Sequence, residues 1–473
     1  MSLTRAVLAL AAAGTLAAAG ASAQTSLTIY NDGRVLVRRT VPVAVPNGVS
    51  TRSVPLGPID PSTIFSLDPA VHVVRSAYDG AVDEQSVLRR AVGRRLVFRV
   101  PRLGPSGAPS GNDTTSALVL SADPLQLQMP DGRVTFSMPG QPLYPAELVV
   151  SVPSAALTLE SAGARDNLRL GYFAQGAQWS ASYQVILAGA AAQGDARVSG
   201  SAVVQSGMLR ADSAEVQLLA GSVNQAGPVA RDEVMMKART GMVAAQAAPA
   251  PYAPVGEQRV GDFHLYSVPE KLTILPGQTT SAAMFDPATV HYERNYVVHG
   301  QLPFWGYLPQ QPNEEDVPVE VSYTLKRPRK TDFGDRPLPG GVVRLFQADS
   351  TGRLQLVGEA GTDHTPAGED LRVTAGNAFD LTARRVQTSY TTRRDSVRAG
   401  VWRTTATADY RVTLTNATDS SAVVDVQEER RGDWTVVTSS IKPEKVSSTI
   451  TRFRVTVPAG GETVLTYRVR VVW

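Results

Sequence analysis

The chain has 473 residues, and 46 basic against 43 acidic side chains leave a formal net charge of only +3. So even a balance gives no reason to expect a nucleic-acid partner, and a 43% hydrophobic share is that of globular domains rather than of a disordered chain. Cysteine is absent, which excludes disulfides, thiolate-held zinc, thiol catalysis and a lipidated cysteine.

The first element in chain order is an export signal. Arg5 precedes an alanine-rich apolar run from Ala6 to Ala19, and Ala21-Ser22-Ala23 supplies the small residues that a signal peptidase needs. Residues 1–23 are therefore expected to be removed, leaving a mature chain that starts at Gln24. No later segment offers the roughly eighteen consecutive apolar residues of a spanning helix. The expected location is the periplasm or cell envelope, or the medium, with no transmembrane span.

Beyond the signal, apolar and polar residues alternate with period two nearly throughout, which predicts an all-β, multi-domain protein. Leu27, Ile29, Val35 and Val37 flank Asn31-Asp32-Gly33 and predict a hairpin. Between about 84 and 145 the pattern predicts an inserted SH3-like barrel. A short helix over Ser86–Val92 would precede strands at Arg95–Val100, Ala117–Leu120, Leu125–Gln128 and Arg133–Phe136, with one more short strand to follow. Leu103–Asp113, rich in glycine, proline and serine, is expected to be a mobile loop.

Strands are predicted next at Leu148–Val152, Leu168–Phe173, Ser182–Leu187, Ala196–Gln205 and Glu215–Leu219, with Tyr172, Trp179 and Tyr183 as core aromatics. Residues 222–258 read as a flexible alanine-proline excursion, with a helical stretch at Arg231–Arg239. Strand signals resume at Val260–Val268, Lys271–Leu275, Val290–Val298 and Val319–Leu325. The polar stretch Lys326–Leu338 is the expected boundary between a 24–335 region and a 336–473 domain. Nine further strand signals in that domain predict an immunoglobulin-like sandwich whose first strands are shared with the preceding region. Tyr410, Val412 and Leu414 should line one strand face, and Leu465, Tyr467, Val469 and Val471 another.

Several of these stretches carry a resemblance. Leu168-Arg169-Leu170-Gly171-Tyr172, Trp179-Ser180-Ala181-Ser182-Tyr183 and Ala214–Gly221 resemble the central pattern of an exported bacterial family catalogued as domain of unknown function 4139. Its members are labelled mucoidy inhibitor A-like. Leu338–Arg344, Gly358-Glu359, Asp363-His364-Thr365-Pro366, Gly376–Asp380, Gly432-Asp433-Trp434 and Leu465–Arg470 are similar to its later landmarks. The resemblance implies an exported β-rich protein with no agreed activity. Many relatives carry a coiled-coil insertion where this chain has the small inserted domain.

Motifs for chemistry are sparse. The five histidines, at 72, 264, 291, 299 and 364, form no helical zinc-hydrolase pair. His291, Glu293 and Asn295 would share a strand face, an arrangement that a solvated strand explains as well as a metal does. Asp363-His364-Thr365 places a carboxylate, an imidazole and a hydroxyl together, yet Pro366 and nearby glycines make a hydrogen-bonded turn the ordinary use of such residues. No serine-nucleophile elbow, phosphate loop, dinucleotide fingerprint or calcium loop appears. No catalytic residue, metal or cofactor is assigned.

Arginines cluster at Arg89, Arg90, Arg94 and Arg95, and again at Arg384, Arg385, Arg393, Arg394, Arg398 and Arg403. Such clusters are usually solvated strand faces, but they also suit an anionic polymer. Arg384, Arg385, Arg393 and Arg394, with Asp363 and His364, are accordingly the candidate ligand-binding residues. The closing strand, ending in Trp473, also has the alternation of an outer-membrane barrel strand, though without aromatic girdles. The expected function is a non-enzymatic envelope protein that binds or scaffolds a partner protein or surface component. The alternatives are an acidic-polysaccharide binder and an unrecognised hydrolase built on Asp363, His364, His291 and Glu293. The sequence leaves the oligomeric state open.

Overall fold

The structure, a computed structural model, describes residues 24–103, 109–221, 223, 256–300, 314–398 and 401–473. The expected export signal and nearly all of the alanine-proline excursion, with its helical stretch, lie outside the described residues. What is described is nearly all strand, as the period-two alternation predicts. No helix among the described residues is long and apolar enough to cross a membrane.

The chain divides into two units. Of the described residues, those within 24–178, 205–217 and 270–278 form the first, and those within 179–204, 218–269 and 279–473 the second. The stretch 326–338, read from the sequence as a boundary, is internal to the second unit.

In the first unit, Thr25–Tyr30 and Arg34–Val41 form the predicted hairpin, with Leu27 opposite Val37 and Ile29 opposite Val35. All four side chains are buried. The turn forms because Gly33 adopts φ 89° without penalty and the Asp32 carboxylate accepts the Arg34 backbone N–H at 3.1 Å. Leu168–Gln175 extends this sheet on the other side of Arg34–Val41.

Leu148–Val152 does not form the expected strand. A 3-10 turn occupies Ala146–Leu148, and the strand runs instead over Ser154–Ser161, between Gly48–Pro55 and Val71–Asp79. Pro145 and Pro153 bracket the expected segment, and proline contributes no ladder donor.

The inserted segment contains an α-helix, Glu84–Arg90, capped by Asp83, whose carboxylate accepts the Ser86 N–H at 2.7 Å. Five antiparallel strands follow, in the sheet order Gln141–Leu143, Arg95–Leu103, Pro109–Ala122, Leu125–Gln128, Val134–Thr135. The strand series matches the expectation, but the sheet stays open rather than closing as a barrel. Its two edge strands, Gln141–Leu143 and Val134–Thr135, are not paired with each other. Residues 109–113, expected to be loop, are strand, paired with Val100–Leu103.

In the second unit a ten-stranded sheet includes two parallel pairings. Ala181–Leu187 runs beside Gly341–Gln347, and Tyr296–His299 beside Val424–Gln427. Strands from before and after residue 336 thus share one sheet. A five-stranded sheet, in the order Glu314–Val317, Leu381–Arg398, Val401–Asn416, Gly461–Val472, Asp433–Ser439, packs against the strands Ala422–Glu429 and Ile450–Val457. The core of this two-layer sandwich holds Tyr410, Val412 and Leu414 together with Leu465, Tyr467, Val469 and Val471, the predicted faces. The apolar side of the closing strand is therefore filled by protein, not turned to lipid.

Trp179, Tyr183 and Tyr172 are buried, as expected of core aromatics. The Trp179 indole donates to the Leu219 carbonyl at 3.1 Å, and the Tyr183 hydroxyl to the Pro339 carbonyl at 2.8 Å.

Candidate functional site

The second arginine cluster lies on one long hairpin, Leu381–Arg398 paired with Val401–Asn416. Alternation then sorts the candidates. Arg384 faces out and pairs with Glu314 at 3.3 Å and Asp316 at 3.2 Å. Arg385 faces in and is buried, so it cannot meet a polymer at the surface. Arg393 is exposed and pairs with Asp395 at 2.7 Å. The Arg394 guanidinium lies over the Trp402 ring, 4.9 Å from its centroid.

Arg394 belongs to a face that continues the inner side of the sandwich past its core. In register across the sheet, Ala406 stands opposite Val471, and Val471 opposite Trp434. One step further out, Arg394 is opposite Thr404, which exchanges backbone hydrogen bonds of 2.8 and 3.0 Å with Trp473. Beyond that, Ser396 is opposite Trp402. Trp434 and Tyr390 are half-buried against the end of the core, while Trp402 and Trp473 are 53% and 49% exposed. Three of the five tryptophans in the chain thus share one sheet face with Arg394. The hairpin tip adds Arg398 and Arg403, both exposed. Flat indole rings beside guanidinium groups can stack on planar or ring-shaped ligand surfaces while holding anionic substituents.

Behind this face lies a buried ionic network. Glu428 is completely enclosed, and its Oε1 accepts from Arg385 Nη2 at 2.9 Å and Nε at 3.2 Å. Its Oε2 accepts from Arg430 Nη2 at 3.0 Å. The Tyr467 hydroxyl also donates to Glu428 Oε1. Arg385 further pairs with Glu315 at 3.5 Å and stacks on the Tyr410 ring at 3.9 Å. Burial works to raise the Glu428 pKa, but Arg385 and Arg430 hold it below its ordinary value. Burial likewise works against Arg385, yet the Glu428 carboxylate and the tyrosine oxygens hold it above its ordinary value. Burial, aided by Glu428, pushes the Tyr467 hydroxyl well up, so it stays a neutral donor.

Asp363 and His364 sit in a different corner. Both are exposed, and the His364 Nδ1 accepts the Gly340 backbone N–H at 3.0 Å. The Asp363 backbone carbonyl accepts from the Thr365 hydroxyl at 3.2 Å. This is the hydrogen-bonded turn that Pro366 and the glycines suggest. His291 faces Asp195 at 3.6 Å, and Glu293 pairs with Lys326 at 3.0 Å. The side chains of His364, His291 and Glu293 each have a partner of their own, Asp363 is held through its backbone carbonyl, and among the described residues no group of three or more histidine, aspartate or glutamate side chains is placed to hold a metal.

Trp402, Glu428 and Arg430 were not singled out from the sequence. The arginine-rich stretch 384–403 reads as a charge run, and its threonines, with Tyr390, Val397 and Val401, are the strand signals that could have extended the hairpin to Trp402. No protein-family model matches the chain, and no curated protein matches it.

Proposed function

We propose that this chain is an exported, non-enzymatic binding or scaffolding module of the bacterial cell envelope. Its binding surface is the face that carries Trp402, Trp473 and Arg394, and its ligand is an acidic polysaccharide. Support for export comes from the hydrophobic, alanine-rich leader ending at Ala23, and from the likeness to the 4139 family of exported β-rich proteins. The immunoglobulin-like reading of the sandwich belongs to the same proposal. The observation that carries the ligand assignment is the gathering of three tryptophans and Arg394 on one sheet face beyond the core.

Aromatic rings supply apolar area to sugar faces, and the arginines at the tip supply charge for carboxylates. Polygalacturonate is a suitable probe, with neutral dextran as control. Binding to polygalacturonate should weaken about tenfold in Trp402→Ala. It should also fall in Arg394→Gln and with added salt, since exposed charge pairing is screened beyond about 8 Å at physiological ionic strength. Affinity indifferent to salt, or unchanged by Trp402→Ala, would remove the ligand assignment.

A further inference from the structure

The geometry points to a second interaction surface, the outer face of the inserted five-stranded sheet, which docks on an anionic phospholipid bilayer. Its two faces differ in character. Leu96, Phe98, Ala117, Val119 and Leu127 point inward and form a core with Val87 and Leu88 of the helix. The outward face mixes polar residues, Ser116 and Gln128 among them, with apolar ones that stand partly or largely exposed. Leu143 stands opposite Val97, while Leu118 and Val134 flank Gln128 from either side. Val97, Val134, Leu143 and Leu120 are all more than a third exposed. Phe136, just after the edge strand, is 69% exposed. Isolated exposed apolar residues need no explanation, but Leu143 beside Val97, with Leu118 and Val134 one row on, put apolar side chains from four strands on one face and mark a contact surface.

Charge selects the occupant. Arg95 stands opposite Leu118, and Arg99 lies two positions past Val97 on the same face. Both are exposed and have no ion-pair partner among the described residues. None of the outward positions described on these strands is a carboxylate. A second copy would set arginine against arginine. The surface is an open sheet rather than a groove, which suits an extended plane better than a single peptide. An anionic bilayer supplies phosphates for the two guanidinium groups, and its headgroup region accepts the exposed aliphatic side chains and the Phe136 ring. The first arginine cluster is thus divided: Arg90 pairs with Asp79 at 2.9 Å, whereas Arg95 has no ion-pair partner among the described residues.

The test is sedimentation of the full chain with phosphatidylglycerol-phosphatidylcholine vesicles and with pure phosphatidylcholine vesicles. Binding should require the anionic lipid, fall with salt, and drop roughly fivefold for each arginine removed in Arg95→Gln and Arg99→Gln. Phe136→Ser should weaken it further, with unchanged thermal unfolding showing that the fold is kept. Trp402→Ala should leave vesicle binding untouched, so this proposal and the polysaccharide reading fail separately. Equal binding to both vesicle types, no binding to either, or full binding by the double arginine variant would overturn it.

Discussion

Glu428→Gln is expected to destabilise the C-terminal sandwich by about 3–5 kcal/mol, although the substitution barely changes shape. The carboxylate is fully enclosed and is shared by Arg385, Arg430 and the Tyr467 hydroxyl. A glutamine offers one acceptor where two are used. Its amide NH2 would be turned toward one of the guanidinium groups, donor against donor, in a region with little water to screen them. Arg430 is already incompletely satisfied, since its Nε and Nη1 are buried without acceptors. It would then have no carboxylate at all within reach among the described residues. The urea midpoint of the purified protein reads the effect, and a loss below about 1 kcal/mol would contradict the network's geometry. By contrast, changing Arg385→Met, Glu428→Leu and Arg430→Met together with Tyr467→Phe should cost much less than Glu428→Gln alone, because the buried charges go together and the Tyr467 hydroxyl is not left without its acceptor.

The same residue predicts an acid limb. Glu428 is held below its ordinary value of 4.5, so its ionised form is favoured by folding. For a depressed carboxyl, the stabilisation is complete above the unfolded value and is lost as pH falls through the folded one. Stability should therefore be flat with respect to this group at neutral pH and decline below about 4.5. In Glu428→Gln that part of the decline should vanish, which a series of urea midpoints from pH 7 downward would detect.

The alternation that makes this core was legible in the sequence; the charges inside it were not. Tyr410, Val412, Leu465 and Val469 fall on every second position, so their common face follows from strand geometry alone. Arg385 occupies an equally inward position, but an arginine in a run of arginines looks solvated until its partner Glu428, 43 residues away, is brought beside it. The same holds for Trp402. It stands in an arginine-rich stretch, and only the register with Ser396 and the hydrogen bonds joining Thr404 to Trp473 place it in a row of aromatics.

The open sheet of the inserted domain differs from the expected barrel for a different reason: strand number can be counted from sequence, whereas closure needs the first and last strands to pair at the right tilt and shear, which no local signal carries. Some motif residues prove to be structural. A Cβ on Gly341 would collide with the Ala181 backbone carbonyl, across the parallel pairing of their strands. A glycine there keeps two strands together and says nothing about chemistry.

The Asp363–Pro366 landmark has a structural role as well, and it leads to the second large effect. Arg327→Lys should destabilise the second unit nearly as much as Arg327→Met, by about 3 kcal/mol or more. Arg327 is fully buried, and four backbone carbonyls accept from its guanidinium. Nη1 donates to Pro366 at 3.1 Å and Glu369 at 2.9 Å, and Nη2 to Phe333 at 3.3 Å and to Arg336. The plane also lies over the Phe333 ring, 5.1 Å from its centroid.

Burial lowers the pKa of Arg327, but an arginine still keeps its charge at any ordinary pH. The group therefore ties the 327–338 segment to the 363–370 corner, where Leu338 and Thr365 exchange backbone hydrogen bonds of 2.9 Å. A lysine ammonium has three donors at one point and cannot reach carbonyls arranged around a planar fork. It would also enter this site with an easily removed proton, so its neutral form should prevail and leave acceptors unpaired. Arg329→Ala, two residues on and exposed, should change stability by less than about 0.5 kcal/mol. Hydrogen exchange and limited proteolysis across 327–338 would separate the cases, with faster exchange there in both Arg327 variants and none in Arg329→Ala. Wild-type protection in Arg327→Lys would show that charge alone, rather than the fork of donors, holds the two segments together.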